Sequence, residues 1–222
     1  MELILQSLAV FSKDFRQEWR SRFGINTVLA FIASTLLIVL FSLRADLQSI
    51  AVQSGLMWII VLFASISTLS RVFAGESERG TLDLLRLNAS SLSVYTGKLI
   101  YNFFFTLLIT CTTLLLFIVL INMDIEKPML LAGVVILGSS GMAGTTTLLG
   151  ALVSQASKKG AVFPVLALPL LIPLMLILVR LTQVVFHPDP VGDHINDLAA
   201  LAGFTGVTIS ISVILFDHLW QD

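Results

Sequence analysis

The sequence predicts an all-α polytopic membrane protein: an N-terminal interfacial helix, six transmembrane helices, and a short cytoplasmic helix between the second and third of them. Two observations predict this fold. Hydrophobic residues make up 56% of the 222 residues and charged residues only 12%, against roughly 45–50% and about 25% in water-soluble globular proteins. In addition, six stretches approach or exceed the roughly 20 apolar residues that a helix needs to cross a hydrocarbon core about 30 Å thick.

Residues 1–24 precede the first span and have the pattern of an amphipathic helix. One side carries Ile4, Leu8, Phe11, Phe15 and Trp19, and the other largely carries Lys13, Arg16 and Arg20. This pattern predicts a helix on the membrane surface, with its aromatic side toward acyl chains and its cations toward anionic headgroups. An amphipathic helix packed against another subunit is the alternative. Because the segment is charged and lacks a short apolar core before a cleavage site, we expect no secretory signal.

The six predicted spans cover residues 25–43, 54–73, 92–123, 129–153, 161–186 and 198–216. We expect a single membrane domain over residues 1–222. The one cysteine, Cys111, lies in an apolar run and excludes an intramolecular disulfide, and no metal-binding Cys/His spacing is present. The scattered basic residues and the net charge of −1 do not indicate a nucleic-acid partner.

The positive charges predict the orientation of the spans, because cytoplasmic loops carry an excess of Lys and Arg. With both termini in the cytoplasm, the cytoplasmic side receives Lys13, Arg16, Arg20, Arg22, Arg71, Arg79, Arg86, Lys98, Lys158 and Lys159, and the other side receives Arg44, Lys127 and Arg180. Both termini and the polar insert between the second and third spans are therefore predicted to be cytoplasmic.

The polar insert, residues 74–91, is named the coupling segment here. Thr81 can cap a short helix, and Asp83 lies in its first turn, where the helix dipole favours negative charge. Asp83 and Arg86 share one face, with Arg79 just before the cap and leucines over most of the rest. A polar ridge backed by leucines suits docking of a soluble partner. A helix resting on the membrane surface is the alternative.

No GxxxxGK[ST] phosphate loop occurs in the sequence, so any ATP hydrolysis is expected in a partner chain. The run Glu78-x-Gly80-Thr81-Leu82-Asp83-Leu84-Leu85, after a basic residue, resembles the cytoplasmic coupling segment of ABC exporter permeases. Together with Leu168-Pro169-Leu-Leu-Ile-Pro173-Leu174 in the fifth span, it resembles the CcmB family, the heme exporter B subunit of cytochrome c maturation. This resemblance covers nearly the whole chain. One departure is Asn88-Ala89-Ser90-Ser91, where the family often has proline.

The resemblance implies a six-span ABC exporter permease in the cell inner membrane. It would pair with an ATP-binding subunit, a second copy of itself, a heme-handling membrane subunit and a heme chaperone. Its function would be heme export or release of the heme-loaded chaperone; it would not itself be an enzyme, and it would bind no cofactor directly, with heme as substrate of the complex. The partner-binding residues expected in the coupling segment are Glu76, Glu78, Arg79, Gly80, Thr81, Leu82, Asp83, Leu85 and Arg86.

The fifth span contains Pro164, Pro169 and Pro173. Proline lacks a backbone donor, so the helix is predicted to be broken between Pro169 and Pro173, as a candidate gate or as a static kink. Arg180 can snorkel to a headgroup or contact an anionic group such as a propionate. His187 and His194 are either heme ligands or solvated turn residues, and the resemblance points away from ligation.

The fourth span is rich in small residues, and Ser140 with Gly144 forms a small-xxx-small pair that favours close helix packing. Its Gly138-Ser139-Ser140-Gly141 run also matches the GxSG pattern of intramembrane serine proteases. The histidines lie near membrane ends, too far from Ser140 for catalysis, so no catalytic residue is expected. Two further alternatives are a permease for another hydrophobic substrate and a membrane scaffold that transports nothing.

Overall fold

The computed structural model describes residues 2–43, 49–69, 76, 80, 85, 87–154, 159–187 and 194–221. Within this part of the chain, long α-helices account for nearly all residues. They are α1 (Glu2–Ser21), α2 (Phe23–Leu43), α3 (Ile50–Leu69), α4 (Ser91–Ile121), α5 (Pro128–Ser154), α6 (Lys159–Phe186) and α7 (His194–Gln221). Helices α2 to α7 are long and apolar enough to cross a membrane. The predicted fold class is confirmed, with helix ends a few residues from the predicted ones.

Helix α1 is amphipathic, and the rest of the protein covers only part of its apolar side. Ser7 and Val10 are buried, whereas Ile4, Leu8, Phe15 and Trp19 are exposed. The buried part crosses α4 at Gly97, where an added Cβ would lie 2.7 Å from the Ser7 carbonyl oxygen and from the Val10 Cβ. Only glycine allows this backbone approach. The remaining exposed apolar side chains are those an interfacial helix would place among lipids.

The chain turns sharply between α1 and α2. Arg22 has φ +52°, in the left-handed region that non-glycine residues rarely occupy. The Glu18 side chain stabilises the start of α2, because its Oε1 accepts a hydrogen bond from the Ile25 backbone N–H at 3.0 Å. A negative charge also suits the positive end of the α2 dipole. Thus the last turn of α1 is tied to the first turn of α2.

The interior of the bundle is formed mainly by α3, α4, α5 and α6, with α4 and α7 packed against α5. Close approach depends on three glycines in α5: an added Cβ would meet Leu178 at Gly138, Thr205 and Leu174 at Gly141, and Ile209 at Gly144. The predicted close packing of this span is confirmed at Gly144. Ser140 is half-buried, and its hydroxyl donates to the Ile136 carbonyl of its own helix at 2.8 Å.

One prediction about α6 is wrong. The helix Lys159–Phe186 is uninterrupted, so no break separates Pro169 from Pro173. Proline removes one backbone donor, but the turns before and after it keep their own hydrogen bonds. Neighbouring helices at membrane depth can hold such a helix together, and Leu171 and Leu174 are fully buried on the packed side of α6. A gating movement of these prolines stays a prediction.

Candidate functional site at the coupling end of the bundle

The start of α4, the end of α7 and the buried part of α1 meet at one end of the bundle, which is called the coupling end here. Of the nine residues predicted to bind a partner, Glu76, Gly80 and Leu85 belong to the described part of the chain. The other six lie outside the described residues: Glu78, Arg79, Thr81, Leu82, Asp83 and Arg86. The site is therefore built from the described residues of the coupling segment and the helices beneath them.

The coupling segment enters α4 through a defined helix cap. Ser90 has an extended backbone (φ −70°, ψ 152°), and its Oγ accepts a hydrogen bond from the Ser93 backbone N–H at 3.3 Å. This satisfies one of the donors that a helix start leaves unpaired. The Ser90 backbone N–H in turn donates to Gln6 Oε1 of α1 at 3.4 Å. The end of the coupling segment is thus fixed to both α4 and α1.

A buried cluster of charges lies beneath the coupling segment and is called the charge clamp here. It consists of Lys13 and Asp14 of α1, Glu76 of the coupling segment, and Lys98 of α4. Lys98 Nζ lies 3.3 Å from Asp14 Oδ2 and 3.6 Å from Glu76 Oε1. Lys13 Nζ lies 3.3 Å from Asp14 Oδ1 and also contacts Glu76 Oε1. The clamp joins three separate segments of the chain through two cations and two anions.

Burial makes this pairing obligatory. The Lys98 side chain is 1% exposed, and the Asp14 and Glu76 side chains are each 10% exposed. Removing an ion from water costs several kcal/mol unless opposite charges and hydrogen bonds replace the solvent. The two carboxylates supply these for Lys98. Displacing Glu76 from the clamp would therefore leave a buried excess of positive charge.

The ionisation of Lys13 follows from the same geometry. Partial burial alone lowers the pKa of Lys13, but the Asp14 and Glu76 carboxylates outweigh it and hold that pKa above its ordinary value of 10.5. Lys13 is consequently a cation throughout the neutral range.

An apolar cluster stands next to the charge clamp. Val10 of α1, Val94 and Tyr95 of α4, and Phe216 of α7 are buried together, and the half-buried Leu85 of the coupling segment packs against them. The Tyr95 and Phe216 rings lie 5.3 Å apart between centroids. The Ser91 hydroxyl also bonds to Asp217 of α7. The coupling segment therefore has an apolar anchor in addition to its ionic one.

The positions of Glu76 and Leu85 refine the expectation from sequence. Both side chains point into the chain's own bundle, so in this arrangement they link the coupling segment to α1, α4 and α7. Gly80 is exposed with φ +65°, a conformation suited to glycine. Leu87 was not among the predicted contact residues, yet it is 83% exposed, which leaves it available to another chain.

The remaining candidate residues lie away from this end. Arg180 Nη2 is 3.6 Å from Asp197 Oδ2 at the opposite end of the bundle, where its side chain is largely exposed. Its contact with an anionic substrate group stays a prediction. The His187 carbonyl accepts from Lys127 Nζ at 3.4 Å, and His194 begins α7. Among the described residues, no group of three or more His, Cys, Asp or Glu could hold a metal ion.

Sequence reasoning missed Asp14 and Lys98 as members of a site. Lys98 was used only to count charges by side, and Asp14 was assigned no role. One signal could have found them: an ionisable residue within an otherwise apolar span needs a partner, and Lys98 is the only charged residue of Ser91–Ile121. Its partner, however, is 84 residues away in the sequence, and no local spacing rule reaches that far.

Comparison with known proteins places the chain in a family. Heme exporter protein B of Rhodobacter capsulatus is 29% identical over 206 residues, which cover 91% of this chain and 93% of that protein. Heme exporter protein B of Bradyrhizobium diazoefficiens is 25% identical over 197 residues, covering 87% and 89%. The family model described as CcmB protein matches residues 5–218, which include α4 and all four residues of the charge clamp. The chain belongs to the CcmB family.

Proposed function

We propose that this chain is the membrane permease subunit of an ABC complex that exports heme or releases a heme-loaded chaperone in cytochrome c maturation. Membership of the CcmB family and two relatives named heme exporter protein B support the substrate class. The structural observation that carries the permease role is the charge clamp, because it ties the coupling segment to a membrane span through a buried ion pair between Glu76 and Lys98.

In this proposal, a separate ATP-binding subunit hydrolyses ATP and presses on the coupling segment. The exposed Leu87, together with Arg79, Asp83 and Arg86, forms the contact with that subunit. An exposed apolar anchor beside charged residues is a common composition for a docking surface. The complex further contains a second copy of this chain, a heme-handling membrane subunit and the heme chaperone.

The clamp gives a displacement of the coupling segment a path into the bundle. If Glu76 moves, Lys98 either follows it or loses the compensating charge of that carboxylate, which is costly in a buried place. Lys98 belongs to α4, and its ion pair with Asp14 links α4 to α1 in the same way. Such a link favours concerted movement of α1, α4 and the coupling segment over movement of the segment alone.

The proposed placement is the cell inner membrane, with both termini and the coupling segment in the cytoplasm. Single-cysteine labelling in a Cys111→Ser background tests it with an impermeant thiol reagent on intact cells. Position 76 is unsuitable because Glu76 is buried, whereas Leu87 and Ile195 are exposed at opposite ends of the bundle. We expect Ile195→Cys to react and Leu87→Cys to react only after the membrane is opened; the reverse pattern would invert the topology.

The function is tested in the organism that carries this gene. Deletion should abolish covalent heme attachment to c-type cytochromes and cause the heme-loaded chaperone to accumulate, both visible by heme staining of gels. Wild-type chain should restore both, and an ATPase-inactive partner should reproduce the deletion. Normal cytochromes c in the deletion strain would leave a permease for another hydrophobic substrate, or a scaffold, as the function.

The docking surface has its own test. Leu87→Asp should lower co-purification of the ATP-binding subunit, because it places a charge in an apolar contact. Ile125→Asp, at an exposed position in the loop after α4, makes the same kind of change outside the membrane spans and away from the proposed surface, and is the matched control. If neither Leu87→Asp nor Asp83→Arg changes co-purification of the ATP-binding subunit, this surface is not part of the interface.

A further inference from the structure

A groove of about 390 Å³ lies between α1, the start of α2 and α4. Helix α1 contributes Phe11, Phe15 and Trp19, and α4 contributes Tyr101, Phe104 and Leu108. From Tyr101 to Leu108 the groove follows α4 for about two turns, or ~10 Å along the helix axis. Its size and shape suit a narrow apolar chain rather than a folded domain.

The walls of the groove are apolar and open to the side. Phe15, Trp19, Phe104 and Leu108 are roughly half exposed within the described structure. Uncovered aromatic side chains at this density indicate a surface that something apolar covers. The groove begins at the level of the interfacial helix and continues along a membrane span, which is the depth range of the upper part of one lipid leaflet.

Exposed cations lie on α1 and on the turn after it, next in the sequence to aromatic residues of the groove. Arg16 and Arg20 follow Phe15 and Trp19 directly, and Arg22 lies in the turn between α1 and α2; all three are exposed. Among the described residues, Glu18 is the charged side chain in the lining, and it is engaged by the Ile25 backbone N–H. Cations on the helix that forms one wall of an apolar groove complement a ligand with an anionic head and a straight hydrocarbon chain.

We propose that this groove binds an acyl chain of one anionic phospholipid, whose phosphate lies among Arg16, Arg20 and Arg22. Among the described residues, the lining offers no histidine, cysteine or methionine to ligate a heme iron, and its one tyrosine, Tyr101, is buried, so its chemistry favours lipid over the proposed substrate of the complex. The bound lipid would brace the turn between α1 and α2. This inference does not depend on the transport function proposed above.

The lipid site is tested with the full-length chain reconstituted in phosphatidylcholine vesicles that contain increasing fractions of a brominated lipid. Bromine quenches nearby tryptophan fluorescence, and Trp19 lines the groove. The signal of Trp19 is the difference between the wild-type chain and Trp19→Phe, since both retain Trp58 and Trp220. We expect half-maximal quenching at a severalfold lower fraction of brominated phosphatidylglycerol than of brominated phosphatidylcholine.

Two matched pairs of variants locate the effect. Arg22→Gln should weaken the preference for phosphatidylglycerol about fivefold, since a cation near anionic lipid contributes about 1 kcal/mol, whereas Arg180→Gln at the other end of the bundle should not change it. Leu108→Phe, which narrows the groove, should reduce quenching by phosphatidylglycerol. Val119→Phe, on an exposed part of α4, should leave it unchanged.

Three results would overturn the proposal. Equal quenching by both lipids would show contact with bulk lipid only. Absence of Trp19 quenching by either lipid would show that protein, such as a second copy of the chain, covers the groove. A headgroup preference that responds to Arg22→Gln but is the same in Leu108→Phe as in Val119→Phe would place the lipid on the α1 surface and outside the groove.

Discussion

The coupling end and the interior of the bundle are held together by different chemistry. Among the described residues, Glu76 and Lys98 are the charged residues that are buried, and both belong to the charge clamp. The interior formed by α3, α4, α5 and α6 uses mainly apolar side chains, hydroxyl hydrogen bonds and close glycine contacts. Ion pairs depend strongly on which groups meet, whereas apolar packing depends mainly on volume. The ion pairs of the coupling end therefore favour one particular arrangement of its segments, whereas the packing of the interior tolerates other apolar side chains of similar volume.

The largest expected effect comes from removing one of the carboxylates that compensate the buried charge of Lys98. Asp14→Leu removes the carboxylate 3.3 Å from Lys98 and should lower the free energy of unfolding by about 3–5 kcal/mol, as measured by denaturation of the purified chain in detergent. Adding Lys98→Met should recover most of this loss, because two apolar side chains then replace an ion pair. If the double variant is as unstable as Asp14→Leu, charge compensation is not what holds this end together.

A second prediction compares helix crossings in the two regions. Gly97→Ala would place a Cβ 2.7 Å from a backbone oxygen of α1, whereas Gly138→Ala would meet the end of the Leu178 side chain. A side-chain end can rotate away and a backbone cannot, so Gly97→Ala should destabilise by about 1–3 kcal/mol and Gly138→Ala by less. Gly55→Ala, with open space around its Cβ, is the control. Equal losses of stability in Gly97→Ala and Gly138→Ala would contradict this difference between the two regions.

An effect of similar size is expected from a hydrogen bond in the interior. Trp58 Nε1 of α3 donates to Thr182 Oγ1 of α6 at 2.8 Å. Trp58→Phe removes this donor and should cost about 1–3 kcal/mol, including the penalty for an unpaired buried hydroxyl. In a double-mutant cycle, the double variant Trp58→Phe with Thr182→Val should lose less stability than the sum of the losses in the two single variants. Strict additivity would mean that the hydrogen bond contributes nothing beyond packing.

The smallest effect concerns pH. The pKa of Lys13 is raised above 10.5 in the folded chain, so its contribution to stability is fully present below 10.5 and is lost as the pH rises through the higher folded value. The difference in unfolding midpoint between wild type and Lys13→Gln should be constant from pH 7 to 9 and should shrink above pH 10.5. A difference that already shrinks between pH 7 and 9 would contradict the assigned ion pairs.

The sequence predicts the fold because membrane helices follow from composition and length alone. All six spans were found in this way, the N-terminal helix was found from its amphipathic spacing, and the small residues of α5 correctly indicated close packing. The Ser140–Gly144 pair was less informative, since the tight contacts belong to Gly138, Gly141 and Gly144. Proline spacing gave the wrong backbone for α6, because the rule for isolated helices does not include support from neighbouring helices.

The candidate site was only partly predictable. The coupling segment stood out as a polar insert, but the direction of its side chains depends on tertiary contacts. Glu76 was expected to bind a partner, which stays a prediction, and within the chain its carboxylate contacts Lys13 and Lys98. Similarly, the clamp combines α1 with α4, which are far apart in the sequence. Residue type and spacing identify which groups need a partner, whereas the folded chain determines which partner they find.

The pairing of Asp14 with Lys98 also affects how the chain is made. At a translation rate of ~5–20 residues per second, the 84 residues between them separate their synthesis by roughly 4–17 s. During that interval α1 is already complete and can lie on the membrane surface, with its carboxylate exposed to water. When the span containing Lys98 is inserted, its counter-charge is therefore already at the correct depth. The N-terminal helix thus supplies a counter-charge for Lys98, whose positive charge would otherwise oppose insertion of its span.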